Sequence, residues 1–329
     1  RLLFDRMFRS EGIFPSDISP LDRLAYVGLQ GMGALVYEPD QSPDTSNEMI
    51  DLDILATQTE EVLEGDSDDV IDELLALNGS SAGARPKAMI GVNTDRTKIT
   101  YGTDQLSGGL EHWMVKFPNA QDGKDAGAIE YIYALMALDA GVKMPDVHLF
   151  HSQKGNGYFA VKRFDRDGNK RFHMHTVSGL VHSNFRLPSL DYEDLLALTG
   201  ALTKDIREVE KMFRLAVFNV MAHNRDDHAK NFSFLMNEFG EWKLSPAYDL
   251  TFSSGPGGEQ STIVMGEGKN ITAKHLKKLG MEAKLTKQFI DNVMEQTRSA
   301  LSTWSELSKE FGVSQSICEI IQKSLLTFK

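Results

Sequence analysis

The chain changes character near Arg166, and this change limits the folds open to it. Before that point, short apolar runs of β type alternate with single helices. After it, apolar residues recur mainly at the three- and four-residue spacing of helices. The order predicts an α+β fold with two lobes, because 329 residues suffice for about two domains. We predict a mixed, β-rich N-terminal lobe over residues 1–165 and a mostly helical C-terminal lobe over residues 166–329.

Periodicity and turn residues place the elements within each lobe. In the first lobe, Ala25–Tyr37 predicts a turn with a short strand. Strands are also predicted before Val92 and at Thr97–Thr103, His112–Phe117, Asp146–His151 and Gly157–Phe164, and helices at Ile50–Leu63, Asp69–Leu77 and Ala126–Ala140. In the second lobe, helices are predicted at Tyr192–Leu202, Thr203–Ala222, Ala273–Leu279, Thr286–Phe311 and Ser314–Phe328, with a strand pair at Phe232–Met236 and Glu241–Leu244.

Charge and cysteine content exclude several classes of protein. The net charge is −12, yet Glu38–Glu73 alone carries fourteen acidic residues and no Lys or Arg, so the other residues sum to +2. Such a chain is not expected to bind nucleic acid by itself. The single cysteine, Cys318, cannot form an internal disulfide, which favours a reducing, cytoplasmic location. No apolar run approaches the roughly 18 residues of a membrane span.

The polar segment His223–Asn231 follows a strongly apolar predicted helix and therefore begins where a rigid element ends. Asp226 and Asn231 are five residues apart, the spacing of the catalytic Asp and the metal-binding Asn in phosphoryl transfer. The carboxylate accepts the proton of an attacking hydroxyl, and the amide oxygen binds the metal that bridges the phosphates. Asp249 follows a predicted strand pair, as a second Mg²⁺ ligand would. A metal-hydrolase cluster of His223, Asp226, Asp227 and His228 is the alternative.

Upstream segments supply the other parts of a phosphotransfer site, in chain order. The small-residue loop Ser80–Lys87 offers backbone N–H groups and cations to phosphates. Lys116 ends a predicted strand, and Glu130 lies on the following helix, as in the Lys–Glu pair that directs an ammonium group to ATP. The strand ending at Lys162, Arg163 and Phe164 lies near the lobe boundary, where an apolar slot binds adenine.

Together these segments resemble the HipA family of bacterial toxin serine/threonine kinases from toxin–antitoxin modules. The likeness runs from about Leu24 to Leu279. It is carried by the motifs GARPKA (Gly83–Ala88), VKFP (Val115–Pro118), VKRFDR (Val161–Arg166), NRDDHAKNF (Asn224–Phe232) and SPAYDL (Ser245–Leu250). The resemblance implies a kinase fold, and ATP and Mg²⁺ as cofactors.

The resemblance also implies roles for individual residues. Asp226 is the expected base, Asn231 and Asp249 the Mg²⁺ ligands, and Ser80 the autophosphorylation site that turns the kinase off, with Ser81 the less favoured candidate. The residues expected around ATP are Ala82, Gly83, Ala84, Arg85, Pro86, Lys87, Lys116, Lys162, Arg163, Phe164, His228, Ala229, Lys230, Asn231, Tyr248 and Asp249.

The expected partners follow from the same resemblance. They are a HipB-like helix-turn-helix antitoxin, DNA only through that antitoxin, and a protein substrate such as an aminoacyl-tRNA synthetase. Family members usually carry a small β-rich subdomain before the segment matching Arg1–Asp22, so we expect the natural protein to begin further upstream or a second polypeptide to supply that part. Two other functions remain open at this point: a small-molecule kinase of the aminoglycoside-phosphotransferase type, and a catalytically idle co-repressor bound by a helix-turn-helix protein.

Overall fold

The computed structural model describes residues 8, 12–14, 16–42, 49–64, 85–101, 106, 108–119, 123–182 and 190–325. The chain forms two compact units. Unit 1 contains residues 1–127 and 146–173, and unit 2 contains residues 128–145 and 174–329. Both α-helices and β-strands are present, as the sequence predicts. Within the described residues, no helix is long and apolar enough to cross a membrane.

Unit 1 is built on an antiparallel five-stranded sheet in the order β2-β1-β3-β5-β4. Two helices precede it, and Leu52 and Leu55 of the second pack into the core together with Ile90 and Trp113 of the sheet. The helices are α1 (Pro20–Val27) and α2 (Leu52–Glu64), and the strands are β1 (Lys87–Asn93), β2 (Ile99–Tyr101), β3 (Leu110–Lys116), β4 (Val147–Phe150) and β5 (Tyr158–Lys162). The strands and α2 confirm the sequence prediction, whereas the predicted helix Asp69–Leu77 lies outside the described residues.

The predicted strand within Ala25–Tyr37 is wrong. Helix α1 continues to Val27, and the following residues form an irregular loop. Its polar backbone groups bond to side chains rather than to a strand: Arg166 and Arg171 donate to the carbonyls of Gly31 and Gly33, at 2.8–3.3 Å. Because these arginines satisfy the loop carbonyls, the loop needs no neighbouring strand.

Unit 2 is mostly helical, and its central helix α6 (Ile206–Met221) is buried along most of its length. Helix α6 packs against α5 (Tyr192–Thr203), α8 (Lys287–Leu301) and β11 (Trp242–Leu244). After β5, unit 1 also contains β6 (Arg166–Asp167) and β7 (Lys170–Arg171). The elements that follow are β8 (His173–Thr176), α4 (Val177–Leu180), β9 (Leu190–Asp191), α5 (Tyr192–Thr203), α6 (Ile206–Met221), β10 (Ser233–Met236), β11 (Trp242–Leu244), β12 (Thr262–Ile263), α7 (Ala273–Glu282), α8 (Lys287–Leu301), α9 (Trp304–Glu310) and α10 (Gln315–Leu325). Strands β11, β10 and β8 form one small sheet, and β9 pairs with β12.

The single helix predicted over Thr286–Phe311 is instead two helices, α8 and α9. The interruption lies at two hydroxyl residues. Ser302 donates to the carbonyl of Ser299 at 2.6 Å, and Thr303 to that of Ala300 at 2.7 Å. Hydroxyls that bond nearby carbonyls compete with the helical hydrogen bonds, so the chain turns there.

The division into units differs from the predicted boundary at residue 165. Helix α3 (Ala126–Asp139) belongs to unit 2 from residue 128 onward, and unit 1 continues to His173. The reason lies in the side chains of α3, many of which are buried. Tyr133 donates to the carbonyl of Ala222 at 2.8 Å and packs edge-on against Phe218 and Trp304.

Candidate active site

The predicted catalytic segment begins directly after the buried helix α6. His223 has a φ of 53°, in the left-handed region, so the chain turns sharply away from the helix axis. Three residues later, the side chain of Asp226 is 62% exposed, and its Oδ1 lies 4.0 Å from Nε2 of His228. A carboxylate in this position is accessible to the hydroxyl of a substrate.

Asn231 lies at the end of a short 3₁₀ turn over Ala229–Asn231. Its backbone N–H donates to the carbonyl of His228, and its side-chain amide donates to the carbonyl of Asp226, both at 2.8 Å. An amide nitrogen is a donor and does not bind a cation, so the ligand atom that Asn231 offers is Oδ1. The two hydrogen bonds fix this residue relative to Asp226.

The second predicted metal ligand, Asp249, is joined to the same loop. The hydroxyl of Tyr248 donates to the carbonyl of Lys230 at 2.7 Å. This bond connects the residues that immediately precede Asp249 and Asn231. Asp249 has a φ of 61°, and non-glycine residues in this region occur mainly at turns and functional sites. One carboxylate and one amide oxygen fit Mg²⁺, which binds few protein oxygens and retains waters and phosphate oxygens.

The alternative metal-hydrolase cluster is wrong. The carboxylate of Asp227 is fully buried and accepts hydrogen bonds from Tyr192, Gln260 and the backbone of Thr262, at 2.5–3.0 Å. Burial raises the pKa of Asp227 to about 7, although these donors oppose the shift. Burial and the nearby Arg225 lower the pKa of His223 to about 4. In the part of the chain that the structure describes, no group of three or more His, Cys, Asp or Glu residues could bind a metal ion.

In unit 1, two lysines of the predicted phosphate site lie opposite each other. Lys87 of β1 pairs with Lys116 of β3, and both residues are buried. Phe117 donates its backbone N–H to the carbonyl of Pro86 at 2.9 Å, which fixes the start of β1 beside the end of β3. Like charges at opposite positions of a sheet repel each other, and an anion beside them reduces that repulsion. Ser80, Ser81, Ala82, Gly83 and Ala84 lie outside the described residues.

The predicted adenine-contacting segment is engaged in contacts within unit 1. Lys162 forms an ion pair with Glu111 at 2.5 Å. The guanidinium of Arg163 is buried and donates twice to the carboxylate of Asp165, at 2.9 and 2.8 Å. The backbone N–H of Lys162 donates to the backbone carbonyl of Asp146, and that of Arg163 donates to the backbone carbonyl of His112. The side chains of Lys162 and Arg163 therefore stabilise unit 1, and contact of Lys162–Phe164 with adenine stays a prediction.

Lys116 and Glu130 belong to different units. Glu130 is buried within α3, whereas the ammonium of Lys116 lies 5.7 Å from the ring centre of Phe159. Their pairing therefore stays a prediction. Sequence reasoning also missed the buried partners of Asp227, because Tyr192 and Gln260 lie more than thirty residues away from it and belong to no recognisable motif.

The sequence is similar to those of known proteins. The sequence of residues 79–304 matches the family model of the HipA-like C-terminal domain. The serine/threonine-protein kinase toxin HipA of Shewanella oneidensis is 27% identical over 75% of this chain and 59% of its own length. Y4dM of Sinorhizobium fredii is 24% identical over 67% of this chain and 60% of its own length. The chain thus spans about 60% of the length of these curated relatives.

A solved structure has the same mixed fold of helices and strands. A chain of the Shewanella oneidensis complex of HipA, HipB and operator DNA matches with a TM-score of 0.69 at 18% identity. The match covers 98% of this chain and 80% of that one. Since the family model covers more than half of the sequence, the chain belongs to the HipA-like C-terminal domain family.

Proposed function

We propose that the chain is an ATP- and Mg²⁺-dependent serine/threonine protein kinase of the HipA type. The observation that supports it most is the arrangement of the catalytic loop. Asp226 is exposed, Asn231 is hydrogen-bonded to the backbone of Asp226, and Tyr248 connects Asp249 to the same loop. A general base and two oxygen ligands for Mg²⁺ are the protein groups that phosphoryl transfer requires of such a loop.

Each residue has a defined part in the proposed reaction. The hydroxyl oxygen of the substrate attacks the γ-phosphorus of ATP, its proton passes to the carboxylate of Asp226, and the bond from the γ-phosphorus to the bridging oxygen breaks to release ADP. Asn231 and Asp249 would hold Mg²⁺, which when bound neutralises charge on the phosphates. For Lys87 and Lys116 we propose contact with phosphate oxygens, since both lysines are buried and lie opposite each other on one sheet.

The proposal extends to regulation and partners through the family. We propose that Ser80, rather than Ser81, is autophosphorylated and that this weakens ATP binding, since a phosphate adds about −1.5 to −2 charge near the nucleotide loop. A HipB-like antitoxin is the proposed partner and the route to DNA, because the solved HipA chain lies in a complex with HipB and operator DNA. A translation component such as an aminoacyl-tRNA synthetase is the proposed substrate, and the cytoplasm the proposed location.

Substitution of the two acidic residues tests the catalytic assignment. Asp226→Asn and Asp249→Asn should each lower phosphotransfer by at least about 10²-fold, because one removes the base and the other a metal ligand. Asp194→Asn removes an exposed carboxylate in the same unit and is the control. Transfer is measured by intact mass after incubation with ATP and Mg²⁺, alone and with cell lysate. Full activity of either variant would contradict the proposal, and transfer only to small molecules would identify the other type of kinase.

A further inference from the structure

Asp227 lies next to the proposed base but in the opposite environment. Its side chain is completely buried, and its Oδ2 accepts hydrogen bonds from the hydroxyl of Tyr192 at 2.5 Å and the amide of Gln260 at 2.9 Å. Its Oδ1 accepts from the backbone N–H of Thr262 at 3.0 Å. The hydroxyl of Thr262 also donates to the backbone carbonyl of Asp227. The carboxylate of Asp227 therefore connects its own loop to two other segments of unit 2, one at Tyr192 and one at residues 260–262.

The hydrogen bonds continue behind the catalytic loop. Asn219 of helix α6 donates to the hydroxyl of Tyr192 at 2.9 Å, and Asn224 donates to the side-chain oxygen of Asn219 at 3.0 Å. Gln260 donates to the backbone carbonyl of Asn224 at 2.8 Å as well as to Asp227. All of these residues are buried. Each group in this network that lost its partner would bear a desolvation cost, so these hydrogen bonds resist separation of the segments that they join.

The residues on either side of Asp227 orient Asn231. The side-chain amide of Asn231 donates to the carbonyl of Asp226, and its backbone N–H donates to that of His228. These two carbonyls belong to the residues on either side of Asp227. A shift of Asp227 would therefore move the base and both acceptors that orient Asn231.

We propose that Asp227 is a positioning residue, which anchors the catalytic loop to Tyr192, Gln260 and Thr262 and thereby places Asp226 and Asn231. Asp227 itself touches neither ATP nor substrate, since its carboxylate is buried and bonded on both oxygens. This inference rests on the proposed kinase function. Loss of anchoring residues behind a metal site commonly lowers activity about 10- to 100-fold, and the same range is expected here.

Asp227→Asn tests the proposal, with Asp194→Asn as the control for loss of a carboxylate at an exposed site. At a temperature where the thermal melt shows the variant folded, kcat should fall by about 10- to 100-fold while the KM for ATP changes less than about threefold. Hydrogen exchange of the peptide 223–232 should accelerate by about tenfold, with no change in α8. A purely structural role would leave a folded variant with normal kcat and normal exchange in this loop.

Tyr192→Phe provides a second variant, which removes one donor to Asp227 without changing the shape of the core. Its kcat should fall by about three- to tenfold, and its effect should not add to that of Asp227→Asn in a double-mutant cycle, since both act through one bond. If Asp227→Asn does not fold, Tyr192→Phe alone decides: unchanged kcat and loop exchange would overturn the inference. Absence of phosphotransfer in the wild-type chain would instead refute the kinase function, whereas loop exchange tests the anchoring without any activity.

Discussion

Replacing Asp165 with alanine is expected to destabilise unit 1 severely. The Asp165 side chain is 1% exposed and accepts hydrogen bonds from Arg163 at 2.9 and 2.8 Å, from Arg166 at 2.8 Å, and from the backbone of Gly33 at 2.7 Å. Alanine would leave the buried guanidinium of Arg163 without its carboxylate. Removal of one partner from a buried ion pair costs about 3–5 kcal/mol.

Hydrogen exchange resolved by peptide measures this loss within each unit. A loss of 3–5 kcal/mol corresponds to on the order of 10²- to 10⁴-fold faster exchange of the slowest amides of β1 and β3. Helices α6 and α8 report on unit 2 in the same experiment. Asp167→Ala is the control, because Asp167 is an exposed carboxylate two residues away. Exchange in β3 within tenfold of the wild type would refute the anchoring role of Asp165.

The pH dependence of the same variant provides a second check. Burial raises the pKa of Asp165, but the hydrogen bonds and charges of Arg163 and Arg166 outweigh it and lower the pKa to about 2. Because the folded-state pKa lies below the usual 3.8, the ionised carboxylate stabilises the fold by about 2 kcal/mol above about pH 4. This stabilisation is lost as the pH falls towards 2. The stability difference between wild type and Asp165→Ala should therefore shrink between pH 5 and pH 2.

Three further predictions concern the nucleotide site and the partner. Lys116→Met should weaken binding of ATP by about tenfold or more in isothermal titration, because hydrogen bonds to charged groups contribute about 1.5–3 kcal/mol; unchanged affinity would remove Lys116 from the site. Tyr248→Phe should raise the Mg²⁺ concentration for half-maximal activity by about two- to tenfold, since a hydrogen bond contributes about 0.5–1.5 kcal/mol; an unchanged Mg²⁺ requirement would refute this link. The chain alone should bind operator-like DNA weakly at physiological salt, as band-shift titration with and without the antitoxin will show, and tight binding without it would contradict the proposed partner.

Most of the helices and strands could be predicted because their signals are local, and the proposed catalytic loop was also identified from local signals. Strand β1 contains the apolar run AMIGV, and helix α6 repeats apolar residues at helical spacing before a polar segment. The proposed base and metal ligands lie in two short segments that carry their own hydrogen bonds, such as Asn231 to the carbonyl of Asp226. Such a loop can be recognised without knowing which residues from distant parts of the sequence contact it.

Contacts between distant residues could not be predicted in this way. Arg163 and Asp165 suggested only a segment at the lobe boundary, whereas the carboxylate of Asp165 bonds to Gly33, 132 residues earlier. The loop that contains Gly33 is rich in glycine and apolar residues, a composition that resembles a strand. The carbonyl of Gly33 accepts hydrogen bonds from Arg166 and Arg171 and not from a neighbouring strand. The partners of a buried ion pair are not separated by a regular number of residues, so neither residue reveals from the sequence which residue it pairs with.

The two adjacent aspartates show how far local reasoning extends. Neighbouring side chains of an extended segment point to opposite sides, so one of Asp226 and Asp227 is expected to face outward and the other inward. The sequence alone does not say which of the two aspartates faces outward. The structure assigns them by their partners: Tyr192, Gln260 and Thr262 surround Asp227, while Asp226 remains exposed. A carboxylate with both oxygens bonded inside the protein is not available to a substrate, so Asp226 is the proton acceptor that we propose for the pair.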